Sequence, residues 1–279
     1  MINLWLKIKK NKGKLLLLGL FATFFAAVAV HIYSSPKKLE VIFLDVGQGD
    51  STLIKTPAGQ VILIDGGPDN QVVRHLGDNL PFYRRQIDVI ILSHYHDDHI
   101  IGLVEVLKRY QVKQIIYGSG NEPTGILNTL FATAKVMNMP VQSITKEAQL
   151  SFGPGCSLAI LNPVSLKIKA DPNNSLVTKL SCAGVKFLLS GDNSVAVEKL
   201  LIKSGWDLRA AVFKASHHGS NSANSEVFLR AVKPQLMVIS VGAANKFGHP
   251  SPKILNRAKL LNIPYKRTDI EGEIVISSP

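Results

Sequence analysis

The chain has 279 residues, enough for one large domain or two small ones, and 46% apolar with 19% charged residues excludes an intrinsically disordered chain. The formal charge is +12: Lys7, Lys9, Lys10, Lys12 and Lys14 supply five of the 32 basic residues before residue 15, and the other 27 face 20 acidic ones. That excess suits a polyanionic partner such as nucleic acid, a wall polymer or anionic lipid, or reflects only a solubility bias, since the later lysines are scattered.

Residues 1–14 form a cationic segment, and residues 15–33 (LLLLGLFATFFAAVAVHIY) are almost wholly apolar. A run of this length just crosses a hydrocarbon core, and lysines on its N-terminal flank hold that end in the cytoplasm. The expectation is a transmembrane signal anchor over 15–33, a linker over 34–38 and one extracytoplasmic domain over 39–279. The alternative is a signal peptide cleaved near Ala27-Val28-Ala29.

From residue 39 the pattern predicts strands at 39–46, 51–56 and 61–65, the last two joined by the turn Pro57-Ala58-Gly59-Gln60. A fully apolar strand over 87–93 leads through a polar loop into a helix over about 98–110, followed by a strand at 114–117 and a helix at 124–137. After Val141 comes a β-rich stretch with strands at 156–161, 175–182 and 185–189. Strand and helix units at 210–213, 226–232, 236–241 and 253–261 then lead to a final strand at 274–277. Two sheets packed face to face with helices outside, an α/β sandwich of αββα type, accommodate this order. Cys156 and Cys182 both lie in strand-like runs, where a buried free thiol is the expected state; a disulfide is the alternative outside the cytoplasm. Neither belongs to a CxxC pair, so no zinc finger is indicated.

The chemistry concentrates in Ser93-His94-Tyr95-His96-Asp97-Asp98-His99. The chain has 8 histidines, and three fall within these six positions from His94 to His99. His94 and His96, two apart on extended chain, point to one side; Asp98 and His99 open the helix. Three imidazoles and two carboxylates at a strand-to-helix turn offer ligands for zinc, manganese or iron.

His-x-His-x-Asp-His resembles the signature of the metallo-β-lactamase superfamily. Asp65-Gly66-Gly67 after a strand is similar to that superfamily's first motif, whose Asp braces the metal loop. Ser190-Gly191-Asp192 after Phe187-Leu188-Leu189 is similar to the later motif, whose Asp bridges two metals. Within the superfamily, the ordered string Asp45-Val46-Gly47-Gln48-Gly49-Asp50, Asn173-Asn174-Ser175-Leu176-Val177, His217-His218-Gly219-Ser220, Asn245 to Ser251 and Arg267-Thr268-Asp269 resembles the β-lactamase-like domain attached to ComEC, the competence channel that imports DNA. The chain departs from the pattern twice. No histidine lies between His99 and His217, so the third His that many members give the first metal is missing and Asn174 occupies that region. The polytopic channel has no counterpart here, so import itself is not expected of this chain.

The resemblance implies one or two divalent ions, Zn or Mn, held by His94, His96 and Asp192 and by Asp98, His99, Asp192 and one of His217 and His218, with His218 preferred as ligand. Asp98, His217 and His249 are then the catalytic candidates. Asn174, His217, Ser220 and His249 are candidates for substrate contact, and Asp65, Asp45 and Asp50 for support of the site. Gly47-Gln48-Gly49 is weak as a phosphate loop, since no lysine follows it, and a Ser-His pair adjacent in sequence is no triad. The implied function is a membrane-anchored, extracytoplasmic, metal-dependent phosphodiesterase acting on DNA, with a competence channel protein as the expected partner. Two alternatives stay open: hydrolysis of another ester (phosphorylcholine on a wall polymer, an acyl ester or a lactam), and a non-catalytic DNA-binding module. The oligomeric state is not legible.

Overall fold

The computed structural model describes residues 14, 16–26, 38–118, 125–161 and 175–278. The chain divides into two compact units, Met1–Lys37 and Lys38–Pro279. In the first, residues 16–26 are helical and their leucines and phenylalanines are exposed. Among the described residues no helix is long and apolar enough to cross a membrane. The expected anchor also takes in residues 15 and 27–33, which lie outside the described residues, as do the basic residues 1–13 and the linker 34–37.

The second unit holds two seven-stranded sheets. The first has the order β16-β1-β2-β3-β5-β7-β8: Ile274–Ser277, Glu40–Phe43, Thr52–Lys55, Val61–Ile64, Val89–Leu92, Ile115–Gly118 and Val141–Ile144. The second has the order β15-β14-β13-β12-β11-β10-β9: Tyr265–Arg267, Leu236–Ile239, Val212–Lys214, Val185–Leu189, Thr178–Cys182, Cys156–Ile160 and Ala148–Ser151. Two short strands, β4 (Gln86–Ile87) and β6 (Gln111–Val112), pair separately.

Alternation along the strands builds three apolar layers. Val41, Phe43, Ile62, Ile91, Phe187 and Leu189 fill the space between the sheets. Their neighbours Ile42, Leu63 and Ile90 face the other way, under helices on the first sheet, and Leu188 does the same on the second. Strands buried on both faces read as continuous apolar runs, which is why 87–93 looked wholly hydrophobic. The helix Asp97–Leu107 begins one residue before its expected start. The helices Gln71–Asn79 and Val195–Lys203 were not anticipated. The first buries only Val72, His75 and Leu76, too few apolar positions to stand out in a polar segment.

The cysteines correct the sequence reading. Cys156 and Cys182 are directly opposed in the antiparallel β10–β11 register and are joined in a disulfide rather than left as free thiols. Strand direction sets the place of any site. β3, β5, β7 and β8 are mutually parallel, as are β12, β13, β14 and β15. Their carboxyl ends therefore open at one end of the sandwich, where loops in α/β sheets gather ligands.

Candidate metal centre

Four strands deliver the centre. β3 leads into Asp65, β5 into Ser93 and His94, β12 into Ser190-Gly191-Asp192, and β13 into the turn Ser216–Gly219. His217 and His218 both have positive φ, 50° and 51°. Consecutive left-handed residues are costly for side chains of this size, and such strain persists where the surroundings over-determine it. The turn sends His218 inward, buried, and leaves His217 at the mouth, partly exposed. Close approach seats the helix that carries Asp98 and His99: a Cβ on Gly102 would lie 1.9 Å from Gly66 O, and Gly66 N donates to His99 O. Only glycine permits that contact.

Two ligand sets converge on Asp192. His94, His96 and Asp192 form one, and Asp98, His99, Asp192 and His218 the other, each with ligand atoms within 4.8 Å of one another. Asp192 Oδ2 lies 3.8 Å from His94 Nε2 and 3.6 Å from His218 Nε2, and Asp192 Oδ1 lies 3.5 Å from His99 Nε2. Asp98 Oδ2 lies 3.2 Å from His218 Nε2.

The far nitrogens are held by an outer layer. Asp65 accepts from His99 Nδ1 at 2.8 Å and from Ser93 N and Oγ at 2.7 Å each. His218 Nδ1 donates to Ser240 O at 2.9 Å and has Asp50 Oδ1 at 3.3 Å. With Nδ1 so committed, each imidazole presents Nε2 to the centre, the usual arrangement behind metal-bound histidine. Asp50, Asp65 and His99 also lie within 4.8 Å of one another. Because Asp50 and Asp65 meet at His99 Nδ1, those two carboxylates form the layer behind the ligands.

A divalent cation fits these residues. His94 Nε2, His99 Nε2 and Asp192 Oδ1 are buried and have no hydrogen-bond partner among the described residues. Buried polar atoms left unsatisfied are rare and call for an explanation, and here they point at the same space. The mixed imidazole and carboxylate set suits zinc or manganese.

Electrostatics agree. Burial by itself lowers the His218 imidazolium pKa, but the charges of Asp192 and Asp50 outweigh it and hold it up to about 10. His99 is likewise raised well above its ordinary value, burial being overcome by Asp192 and Asp65. Burial would raise Asp192, yet His218 and His99 hold it well below the usual carboxylate range. Burial and the neighbouring His99 charge push His94 far down. The carboxylates thus favour positive charge in the centre, where a cation would bind.

The remaining candidates divide. His217 and His249 meet at the mouth with ring centroids 5.5 Å apart, and burial lowers the pKa of both. Ser220 bonds Ser222 at 2.9 Å, beside that pair. Asp45 turns its carboxylate onto Gly47 N of its own loop, so its support of the centre is indirect. Asn174 lies outside the described residues. Two features escaped the sequence reading. Lys214, buried on β13, forms an ion pair with Asp50; a lysine in the apolar strand Val212-Phe213-Lys214 was the available signal. Phe247, exposed at the mouth, stacks on His249 at 5.9 Å with Lys246 Nζ 5.4 Å from its ring. Gly47-Gln48-Gly49 acts as a brace: Gly242 N donates to Gln48 Oε1, and a Cβ on Gly49 would lie 2.3 Å from Asp98 O.

Residues 44–123 match the Metallo-beta-lactamase superfamily. The domain is a metallo-β-lactamase domain. It is similar to "ComE operon protein 3" of Bacillus subtilis, 28% identical over 254 residues that make up 84% of this chain and 32% of the relative. It is also similar to "Competence protein ComA" of Neisseria gonorrhoeae, 30% identical over 232 residues, 82% of this chain and 31% of the relative. The chain thus spans about a third of the length of these curated relatives. Among solved structures, the metallo-β-lactamase fold protein YhfI of Bacillus subtilis superposes with a TM-score of 0.59 at 12% identity, covering 87% of this chain and all of that one. At that identity the likeness speaks for the metallo-β-lactamase fold alone.

Proposed function

We propose that the domain is a metal-dependent phosphodiesterase that acts on DNA at the outer side of a membrane, in a ComEC-like role. The observation that carries the reading is the shared Asp192, a single buried carboxylate within 3.5–3.8 Å of histidines from both ligand sets. Two divalent cations held in such a site activate water near neutral pH and offset charge building on a phosphoryl oxygen.

The chain's own residues do the rest. Asp192, His94 and His96 define one position, and Asp98, His99 and His218 the other, with Asp50 and Asp65 fixing the orientation of His218 and His99. His217 and His249 are held neutral by burial and stand at the mouth, placed to exchange a proton with a leaving oxygen. Phe247 and Lys246 supply a ring face and a cation beside them, the pairing that holds single-stranded nucleic acid. The centre itself holds four carboxylates, Asp50, Asp65, Asp98 and Asp192, partly offset by Lys214, and bound cations would turn it toward a polyanion.

For the membrane side, the support is the lysine-flanked apolar run and the Cys156–Cys182 disulfide, which belongs to an oxidising compartment. The relatives' competence names favour DNA over a lactam or wall ester. The test is incubation of the purified protein with labelled single- and double-stranded DNA, bis-p-nitrophenyl phosphate and nitrocefin, each with Mn or Zn. Cleavage of the phosphodiesters is expected. Intact DNA with every metal refutes the nuclease reading, and turnover of nitrocefin alone moves the chemistry to acyl transfer.

A further inference from the structure

The metal centre occupies one end of the Lys38–Pro279 unit; the other end has a distinct chemistry. Six helices, Gln71–Asn79, Asp97–Leu107, Gly125–Val136, Val195–Lys203, Glu226–Val232 and Pro252–Leu260, each follow a strand of the parallel set and run back to that far end. β1 starts there too. Glu40 pairs with Lys55 across β1 and β2, and Lys55 Nζ donates to Asn79 O at the close of the first helix.

Large apolar side chains project where these helices end. Phe82 and Tyr83 follow the first and are 87% and 73% exposed; Val136 closes the third at 78%, with Met137 beside it; Leu260 closes the sixth at 73%; Trp206 follows the fourth. The segments that return from the helices are cationic. Arg84 and Arg85 follow the first helix, Lys108, Arg109 and Lys113 the second, Arg209 the fourth and Lys233 the fifth. Asp88 pairs with Arg84 and Lys113, Glu105 with Lys108 and Arg109, and Asp207 with Arg209, so the acids offset these cations only in part. The helix dipole favours cations at helix carboxyl ends. It gives no reason for leaving phenylalanine, valine and leucine in water at the same end, and large apolar side chains exposed together at one end of a fold mark a surface that meets something.

We infer that this far end docks on an anionic lipid bilayer, holding the metal centre away from the membrane. Basic residues attracted to anionic head groups, with aromatic and aliphatic tips entering the interface, are the chemistry of a surface that lies on a bilayer. The inference rests on the reading that residues 15–33 enter the membrane. Five residues, 34–38, lie between Tyr33 and Leu39, and a chain of that length spans at most about 20 Å. Nucleic acid is the less suitable occupant. Val136, Met137 and Leu260 have no ring face for a base, and a strand bound there lies at the opposite end from Asp192.

The full chain in vesicles tests this. The two cysteines of the sequence are joined, so an introduced thiol is the one labelling site. A fluorophore at Phe82→Cys or Val136→Cys should be quenched by nitroxide-bearing lipid in phosphatidylglycerol-rich vesicles. Quenching should fall in phosphatidylcholine alone or in high salt. The same label at Val227→Cys, exposed at the start of the helix Glu226–Val232, should not respond. Lys135→Gln, in the last turn of the third helix, and Lys233→Gln should each weaken the docked state about fivefold. No quenching at 82 and 136, or equal quenching at all three positions, overturns the proposal. A shift at 82 caused by a DNA oligonucleotide and not by vesicles also overturns it, and assigns the face to nucleic acid. An alkaline carbonate wash separately reports insertion of residues 15–33. A chain that washes off defeats the anchor reading, while the label still decides the docking.

Discussion

Replacing Lys214 by methionine preserves the aliphatic stem and removes one charge. Asp50 then keeps a buried carboxylate without its ammonium partner. Burial works to raise its pKa, and Lys214 is the foremost of the groups that bring it below the usual range. Breaking a buried ion pair by removing one member costs about 3–5 kcal/mol, against a total stability of roughly 5–15 kcal/mol for a domain. Asp50→Asn in the same chain removes the stranded charge, so the double variant should regain most of the loss. Asp50→Asn alone should weaken metal affinity about 10–100-fold without touching a ligand, because Asp50 lies 3.3 Å from His218 Nδ1. Urea unfolding of the metal-free single and double variants measures the first effect, and competition with a chelator measures the second. If Lys214→Met costs less than about 1 kcal/mol, or the double variant is as unstable as the two losses added, the buried-pair argument fails.

Three further outcomes are expected. His99→Ala should lower bound metal, whereas His249→Ala should keep metal and lose roughly 10²–10⁴ in rate; metal loss in His249→Ala would make it a ligand. Metal affinity should rise with pH through the neutral range, since His99 and His218 are protonated in the metal-free protein and must release those protons to bind. By the same shift, the stability that His218 gives the metal-free protein is complete below its unfolded pKa near 6.5 and is lost as pH rises through about 10; chelator competition and denaturation at several pH values read both, and a flat profile contradicts them. Phe247→Ala should weaken single-stranded DNA binding by about 1–3 kcal/mol while leaving bis-p-nitrophenyl phosphate turnover intact, and an equal loss on both substrates places Phe247 in the catalytic machinery instead.

Much of the architecture was legible because burial on both faces leaves a run such as 87–93 without polar interruption, and because a strand-to-helix turn rich in histidine has few other uses. The structure brings His94, His96, Asp98, His99, Asp192 and His218 together, and a turn whose left-handed residues send the two rings apart leaves His217 outside that group. What remained hidden depended on contacts distant in sequence. Lys214 reads as a strand residue until Asp50, 164 positions earlier, is found beside it. The pairing of Cys156 with Cys182 required the β10–β11 register. Phe247 stood inside a motif that drew attention to His249. The helix Gln71–Asn79 was missed because it buries one narrow face.

The central claim is a two-cation phosphodiesterase organised around Asp192, and metal content measured beside DNA cleavage tests it most directly. The purified wild-type chain, loaded with Mn or Zn and freed of excess, should carry two ions and cut DNA. Asp192→Ala should remain folded by circular dichroism, lose at least one ion and lose cleavage. Full metal content with wild-type cleavage in Asp192→Ala would contradict the account.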